Sequence, residues 1–244
     1  MRTLALFALL FLPLLCGFQQ EEKPPAPPPP LPVKDTSDDI IKGYLDGESL
    51  APWAIPLHAD PKAGQYWETG SDSYEIESTP RRQVSRVDGD LVLVEQRLKL
   101  KAEMFKSDYV LAFRVNLKPE KGKPQITRAW IGKPGEKPKL IKVREMPVQP
   151  AETPKEDKDK GEEFKDLELA GATWKGRLYT HKFDDMTTKL WVAEGGWFDA
   201  IIKTTAGDDY LEDLRAFGSD AEPLLQWPEG AAWQTVGDQK PAGD

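Results

Sequence analysis

The chain has 244 residues, of which 39% are hydrophobic and 30% are charged, with 22 prolines, one cysteine and a net charge of −8. This composition excludes collagen, a disulfide-stapled small protein and a polytopic membrane protein. The eight tryptophans argue against full disorder, because they give a core large rings to bury. Length alone predicts one or two domains, at roughly 150 residues each.

The first 17 residues have the pattern of a secretory signal peptide. A short basic start is followed by an apolar stretch over residues 4–15, and a polar, acidic segment comes next. The stretch is too short to span a bilayer, which needs about 20 apolar residues. We therefore predict export to the periplasm or the cell exterior. Lipid anchoring through Cys16 is the less favoured alternative, since two leucines precede Cys16 where lipoprotein signals carry small residues.

Composition predicts five segments along the chain. Seven prolines fall within residues 23–32, and this run favours a polyproline spacer. A charged stretch without apolar periodicity lies near residue 155 and favours a solvated loop. The predicted segments are a signal peptide at 1–17, a proline-rich disordered spacer at 18–35, a short helix and connecting loop at 36–63, a single β domain at 64–227 with a charged disordered loop at 146–163, and a flexible tail at 228–244.

Apolar residues between these breaks recur mostly with period two. Tyr109, Leu111, Phe113 and Val115 alternate with other residues, and Asp88-Gly89 is typical of a hairpin turn. One short helix is expected near the start, with Ser37 as its N-cap, with Ile40, Ile41, Tyr44 and Leu45 on one stripe, and with Gly47 after it. Tyr210, Leu211, Leu214 and Phe217 fit helical spacing as well as an edge strand, and the strand is favoured. The sequence therefore predicts a mainly β fold, an antiparallel curved sheet or unclosed half-barrel with one short N-terminal helix.

Four short patterns in the second half of the chain carry a family resemblance. They are Glu168-Leu169-Ala170-Gly171-Ala172-Thr173-Trp174, then Lys189-Leu190-Trp191-Val192, then Ile201-Ile202-Lys203, then Leu214 through Phe217-Gly218. Over residues 164–218 this order resembles bacterial secreted proteins with an unclosed, lipoprotein-carrier-like (LolA/LolB-like) β-barrel. The resemblance implies a concave apolar face that binds a lipid or a lipid-linked group, and it implies no catalytic residues.

Charge is unevenly distributed along the chain. Residues 1–80 carry a net charge of −7, residues 81–145 carry +9, and residues 146–244 carry −10. One interpretation is a basic face at 81–145 that binds an anionic envelope surface. The other is that these cations are solvated outward positions of strands, partly neutralised by the acidic half of the chain. We expect no nucleic-acid partner, because the pI is near 5.0 and no nucleic-acid-binding motif is present.

Sequence motifs for catalysis are scarce. The chain has no Gly-x-Ser-x-Gly elbow, no phosphate loop and no His-Glu-x-x-His motif. An exported chain whose only cysteine is Cys16 also has no thiolate zinc site, cysteine nucleophile or disulfide in its folded part. His58 and His181, with nearby aspartates, are the only imidazoles that a metal-dependent hydrolase would use. We expect no catalytic residue, no metal and no cofactor.

Three functions from different classes remain open. The first is a non-enzymatic protein that binds a lipid or other hydrophobic ligand, and it predicts aromatic rings that line an open concavity. The second is a structural or interaction protein of the cell envelope, which predicts the same rings fully buried. The third is the metal-dependent hydrolase. For the first function the candidate ligand-binding residues are Trp130, Trp174, Trp191, Phe113 and Leu178, with the three tryptophans expected on one apolar face.

Overall fold

Twelve β-strands dominate the part of the chain that this computed structural model describes. That part comprises residues 32–47, 54–73, 75–143 and 161–237, without the side chains of Asp72 and Phe183. The predicted signal peptide, most of the predicted spacer and most of the charged loop lie outside it. The strands are β1 (Lys34–Asp35), β2 (Tyr66–Ser73), β3 (Ile76–Asp88), β4 (Leu91–Lys101), β5 (Phe105–Asn116), β6 (Ile126–Gly132), β7 (Lys139–Ile141), β8 (Glu162–Leu169), β9 (Ala172–Phe183), β10 (Met186–Ala193), β11 (Ile201–Ala206) and β12 (Tyr210–Gly218).

These strands form one antiparallel sheet in the order β7-β6-β5-β4-β3-β2-β12-β11-β10-β9-β8. β1 is the exception, since it pairs in parallel with the start of β5. Within the described residues the sheet stays open, with β7 and β8 at its two edges. The predicted fold class is confirmed. β8 begins at Glu162, inside the stretch that the sequence assigned to the charged loop.

The first helix, α1, spans Ser37–Asp46, as its apolar stripe predicts. Its N-cap is Thr36 rather than the expected Ser37, and the carboxylate of Asp35 accepts the backbone N–H of Ser37 at 3.0 Å. This interaction satisfies one of the free donors at the helix N-terminus. Ile41 is only 3% exposed, because α1 lies against β5, β6 and β7.

Apolar side chains form two cores, one on each face of the sheet. The core on the helix face contains Val94, Leu111, Phe113, Val115 and Ile131, among others. The second core lies on the opposite face, which we call the C-terminal face. Its buried members are Leu93, Val110, Ala112, Trp130, Leu225, Trp227 and Trp233. Strand alternation explains this division, because successive residues of a strand point to opposite faces.

The chain after β12 packs against the C-terminal face. The sequence predicted a flexible tail from residue 228, and this prediction is wrong over residues 228–237. A 3₁₀ helix spans Gly230–Thr235, and Trp233 is 1% exposed. The physical reason is the large apolar area of the indole ring. The free energy gained by burying this ring outweighs the cost of ordering the glycine- and alanine-rich segment around it. Residues 238–244 lie outside the described residues.

Candidate functional site

Some strands of the sheet are covered on both faces, whereas others keep apolar side chains partly exposed. The candidate site lies on the less covered strands. On β5 and β6, α1 covers one face and the segment after β12 covers the other. On and beside β8 to β12, several apolar side chains pack against the helix-face core yet remain partly exposed. They are Phe164, Leu167, Leu169, Trp174, Trp191, Trp197 and Phe217, which we call the apolar surface. Large apolar side chains that stay partly exposed on one part of a sheet favour a site for a hydrophobic ligand or partner.

Three rings of this surface are grouped around Trp67, which is 1% exposed. The ring centroid of Trp67 lies 5.5 Å from that of Trp174, 6.0 Å from that of Phe217 and 6.5 Å from that of Trp197. Trp174 and Phe217 are themselves 5.1 Å apart, at an interplanar angle of 65°. Edge-to-face and tilted contacts of this kind are the favoured arrangement of aromatic rings. Trp67, Trp174, Trp197 and Phe217 therefore form a packed group of rings, which we call the aromatic floor. All of these rings except Trp67 remain partly exposed to solvent.

Hydrogen bonds fix two of the indoles in this floor. The Nε1–H of Trp67 donates to the carbonyl oxygen of Ile201 at 3.1 Å, and the Nε1–H of Trp174 donates to that of Leu169 at 3.1 Å. A buried indole N–H without an acceptor costs free energy, so these bonds set the direction in which each ring points. The floor is preformed rather than assembled by a ligand.

The loop between β10 and β11 positions Trp197 at the edge of the floor. Phe198 and Ala200 have φ angles of 57° and 55°, in the left-handed region that non-glycine residues rarely adopt. The burial of Phe198 and an ion pair of Asp199 offset this strain. Phe198 is 5% exposed, and Asp199 accepts both Nη1–H and Nη2–H of Arg82, each at 2.7 Å.

His58 supports the same loop. Its Nε2 lies 2.8 Å from the Oε1 of Gln65, and the backbone N–H of Phe198 points at its Nδ1 at 3.4 Å. Since the backbone N–H of Phe198 is a donor, Nδ1 is the accepting nitrogen of this contact. The ring also lies 6.3 Å from that of Trp197, so His58 is part of the wall that holds the loop.

Among the described residues, His58 and His181 are not brought together into a metal-binding group. His181 is exposed near the end of β9, whereas His58 is held in the wall described above. Within the described ranges, no group of three or more His, Cys, Asp or Glu side chains is arranged to hold a metal ion. The two histidines therefore do not converge with the acidic side chains that this hypothesis requires.

A small polar cavity lies beside the aromatic floor. Its volume is about 120 Å³, and Thr69, Arg82, Asp199, Lys203 and Glu212 contribute to its lining. Thr69 Oγ1 and the Oη of Tyr210 donate to the two carboxylate oxygens of Glu212, the latter at 2.7 Å. Burial, followed by this hydrogen bond, raises the pKa of Tyr210 to about 12. Thr69 is already paired with Glu212 and Arg82 with Asp199, while the ammonium of Lys203 lies over the ring of Trp191. The size of the cavity suits water rather than an acyl chain.

The five residues proposed from the sequence do not form one site. Trp174 and Trp191 belong to the apolar surface, and Leu178 faces Trp191 across the β9–β10 pair. Phe113 is 4% exposed within the helix-face core. Trp130 is fully buried on the opposite face, where its ring lies 5.1 Å from that of Trp227.

The shared face expected for Trp130, Trp174 and Trp191 is therefore wrong, and a β-bulge is the reason. In the β5–β6 pair, Arg114 lies opposite Arg128 while Val115 lies opposite Ile126, which leaves one extra residue in β6. Such an insertion reverses the side-chain alternation of the strand. Ile126 faces the helix side as its period predicts, and Trp130 faces the other side.

Sequence reasoning missed three rings of the floor: Trp67, Trp197 and Phe217. Trp67 lies opposite Phe217 on the neighbouring strand β12, a contact between residues far apart in the chain. The only local signal was Phe217, the aromatic residue before Gly218. It belonged to one of the sequence patterns of the family resemblance, but that pattern did not indicate which rings Phe217 contacts.

At least seven cations of the basic segment 81–145 form ion pairs with described residues. The pairs are Arg81–Glu68, Arg82–Asp199, Arg97–Asp108, Lys101–Glu77, Lys106–Asp35, Lys118–Asp90 and Lys133–Asp38. Pairing of this kind reduces the charge that the segment presents to an anionic surface. Binding of such a surface stays a prediction.

No protein-family model matches this chain, and no curated protein matches its sequence. No helix within the described ranges is both long enough and apolar enough to cross a membrane.

Proposed function

We propose that this chain is an exported, non-enzymatic protein of the cell envelope that binds a lipid or other hydrophobic ligand on its apolar surface. The partial exposure of Trp174, Trp191, Trp197 and Phe217 carries the proposal. Each ring packs on buried neighbours and still presents area to solvent. Apolar area removed from water contributes about 25 cal/mol per Å², so a ligand that covers these rings gains free energy without any change of fold.

Two features of the sequence support the same proposal. The apolar stretch at residues 4–15 favours export, and an exported carrier meets lipids and lipid-linked groups. The resemblance to lipoprotein carriers over residues 164–218 covers β8 to β12, which is the part of the sheet that bears the apolar surface. Because the resemblance implies no catalytic residues, it favours binding over catalysis.

A second candidate is the structural or interaction protein. The near-complete burial of Trp67 and its contacts with three neighbouring rings favour this candidate. In that case the partly exposed rings complete the core, and a partner protein rather than a lipid covers them.

Binding of a fluorescent fatty-acid probe separates the two candidates. We expect saturable binding to the full chain and clearly weaker binding to Phe217→Leu, which removes a ring that contacts three tryptophans. Phe105→Leu is the matched control, since Phe105 is 37% exposed and lies in β5 beside β1. Its binding should equal that of the wild type.

The outcomes of this titration are distinct. Absence of saturable probe binding by the wild-type chain overturns the proposal and leaves the interaction protein. Equal loss in both variants shows binding unrelated to the apolar surface and also overturns it. Native mass spectrometry of the protein extracted from its source then identifies any lipid that purifies with it.

Export has a separate test. N-terminal sequencing of the secreted form should give a start near Gly17. A mature N-terminus at Met1 or Arg2 contradicts export by a cleaved signal peptide. A lipid-modified Cys16 as first residue supports the anchored alternative.

A further inference from the structure

A second cavity lies on the C-terminal face, away from the apolar surface. Its volume is about 470 Å³, and it opens between the end of β3 and the 3₁₀ helix. Ala63, Arg86, Val87, Asp88, Ala231 and Trp233 contribute to its lining. This volume falls within the range of about 300–1,000 Å³ that small-molecule sites occupy.

A β-bulge places Arg86 in this cavity. In the β3–β4 pair Val84 lies opposite Val94, while Arg86 lies opposite Leu93, so Ser85 is an extra residue in β3. Val84 belongs to the helix-face core, whereas Leu93 belongs to the core of the C-terminal face. The bulge therefore directs the side chain of Arg86 to the C-terminal face, which is a recurrent use of bulges near binding sites.

Arg86 has no partner within the described part of the chain. Its Nε is buried without an acceptor, and its guanidinium makes no hydrogen bond or ion pair there. By contrast, Arg82 and Arg97 each bind a carboxylate through two nitrogens. A guanidinium offers five N–H donors in a planar fork, and donors buried without acceptors cost free energy. A ligand with an acceptor group at this position removes that cost.

The remaining lining selects the kind of ligand. Asp88 brings a second charge to the cavity, although its Oδ2 already accepts the Nε2–H of Gln234 at 2.6 Å. A carboxylate beside the cation disfavours ligands with two negative charges. Ala63, Ala231 and Trp233 add apolar side chains to the lining, and the hydroxyl of Ser85, which also lines the cavity, already donates to Glu95. The ligand that matches these features carries one negative charge and a short apolar chain.

We propose that this cavity binds a small organic monocarboxylate, with its carboxylate held by the guanidinium of Arg86 and its apolar chain against Ala231 and Trp233. Planar two-point recognition of a carboxylate is the geometry to which arginine is best suited. The site is independent of the proposed function, because it lies on the other face of the sheet and uses none of the same residues.

Calorimetric titration of the full chain with sodium hexanoate tests the proposal. We expect saturable binding of hexanoate, at least tenfold weaker binding of 1-hexanol and at least tenfold weaker binding of sulfate. Hexanol lacks the charge, and sulfate carries two charges and no apolar chain. Equal affinity for sulfate and hexanoate, or no saturable hexanoate binding, overturns the proposal.

Variants assign the binding to Arg86. Arg86→Gln should weaken hexanoate binding at least tenfold while the thermal transition stays unchanged, since the side chain makes no bond to be lost. Asp88→Asn should strengthen hexanoate binding and improve sulfate binding. Lys99→Gln, which removes an exposed cation outside the cavity, and Phe217→Leu, which alters the apolar surface, should both bind hexanoate like the wild type. Unchanged binding by Arg86→Gln, or weakened binding by Phe217→Leu, overturns the assignment.

Discussion

The indole Nε1–H of Trp227 donates to the carboxylate of Glu95 at 2.8 Å, although the two residues are 132 positions apart. Glu95 is fully buried in β4. Its carboxylate also accepts the backbone N–H of Leu224 at 2.7 Å and that of Leu225 at 2.9 Å. Ser85 and Gln83 on β3 donate to it as well. One buried carboxylate therefore joins the strand pair to the segment that follows β12.

Glu95→Gln should lower the free energy of unfolding by about 2–3 kcal/mol. The amide keeps the shape of the carboxylate but replaces one acceptor oxygen with donors, so at least one of the facing N–H groups loses its partner, at about 1–3 kcal/mol each. Chemical denaturation monitored by circular dichroism measures the change. Glu77→Gln, at an exposed pair with Lys101, is the control and should change stability by less than about 0.5 kcal/mol. Similar values for the two variants would contradict a structural role for Glu95.

Trp233→Ala should destabilise the protein by about 3–5 kcal/mol, the usual cost of truncating a buried tryptophan. The reason is its burial in the core of the C-terminal face. Trp233→Phe keeps much of the apolar area and should cost clearly less. Thermal and denaturant unfolding of both variants measure the difference. If Trp233→Ala left stability unchanged, the residues after 228 would be the loose tail that their composition suggests.

The ion pair between Arg82 and Asp199 should show a coupling free energy on the order of 1 kcal/mol in a double-mutant cycle with Arg82→Gln and Asp199→Asn. The pair is bidentate, and the two side chains are only 21% and 26% exposed. The pair between Lys101 and Glu77 is about three-fifths exposed and serves as the reference, with coupling near zero. Added salt should reduce either coupling. A larger coupling for the exposed pair would refute the argument from burial.

Tyr210 should be among the last tyrosines to ionise, with a pKa of about 12. Its folded pKa lies above the ordinary value of 10.0, so its contribution to stability is fully present below about pH 10 and is lost as pH rises toward 12. Absorbance titration of tyrosinate in the wild type and in Tyr210→Phe isolates its ionisation. We expect the stability of the wild type, relative to that of the variant, to fall between pH 10 and pH 12. A difference that does not change with pH would contradict the environment described for Tyr210.

Local patterns predicted the mainly β fold class and the first helix, but not β1, the start of β8 or the N-cap of the helix. Tyr109, Leu111, Phe113 and Val115 all belong to the helix-face core, as their alternation predicts. The hairpin at Asp88-Gly89 connects β3 to β4, with Gly89 at a φ of 59° that glycine adopts without strain. Gly47 follows α1 as expected. These features depend on neighbours within a few residues, which the sequence displays directly.

The candidate site was only partly predictable. Trp174 and Trp191 were identified because each stands out in a short strand pattern. Trp67 was not, since its importance comes from ring contacts with Trp174 and Phe217, which lie more than 100 residues further along the chain. Period-two reasoning cannot find such contacts, because it reports which side of a strand a residue occupies and not which strand lies beside it.

By itself the sequence determined a mainly β chain with one short helix, because alternation and turn residues act over a few positions. Only the tertiary structure decided which face Trp130 occupies, since one inserted residue in β6 reverses the alternation. The tertiary structure also decided that Glu95 is buried and that Trp233 is packed. Both outcomes depend on the segment after β12, which returns to pack against β3 and β4. Packing between such distant segments is stabilised by the apolar area and the hydrogen bonds that it buries, and no local sequence pattern encodes these contacts.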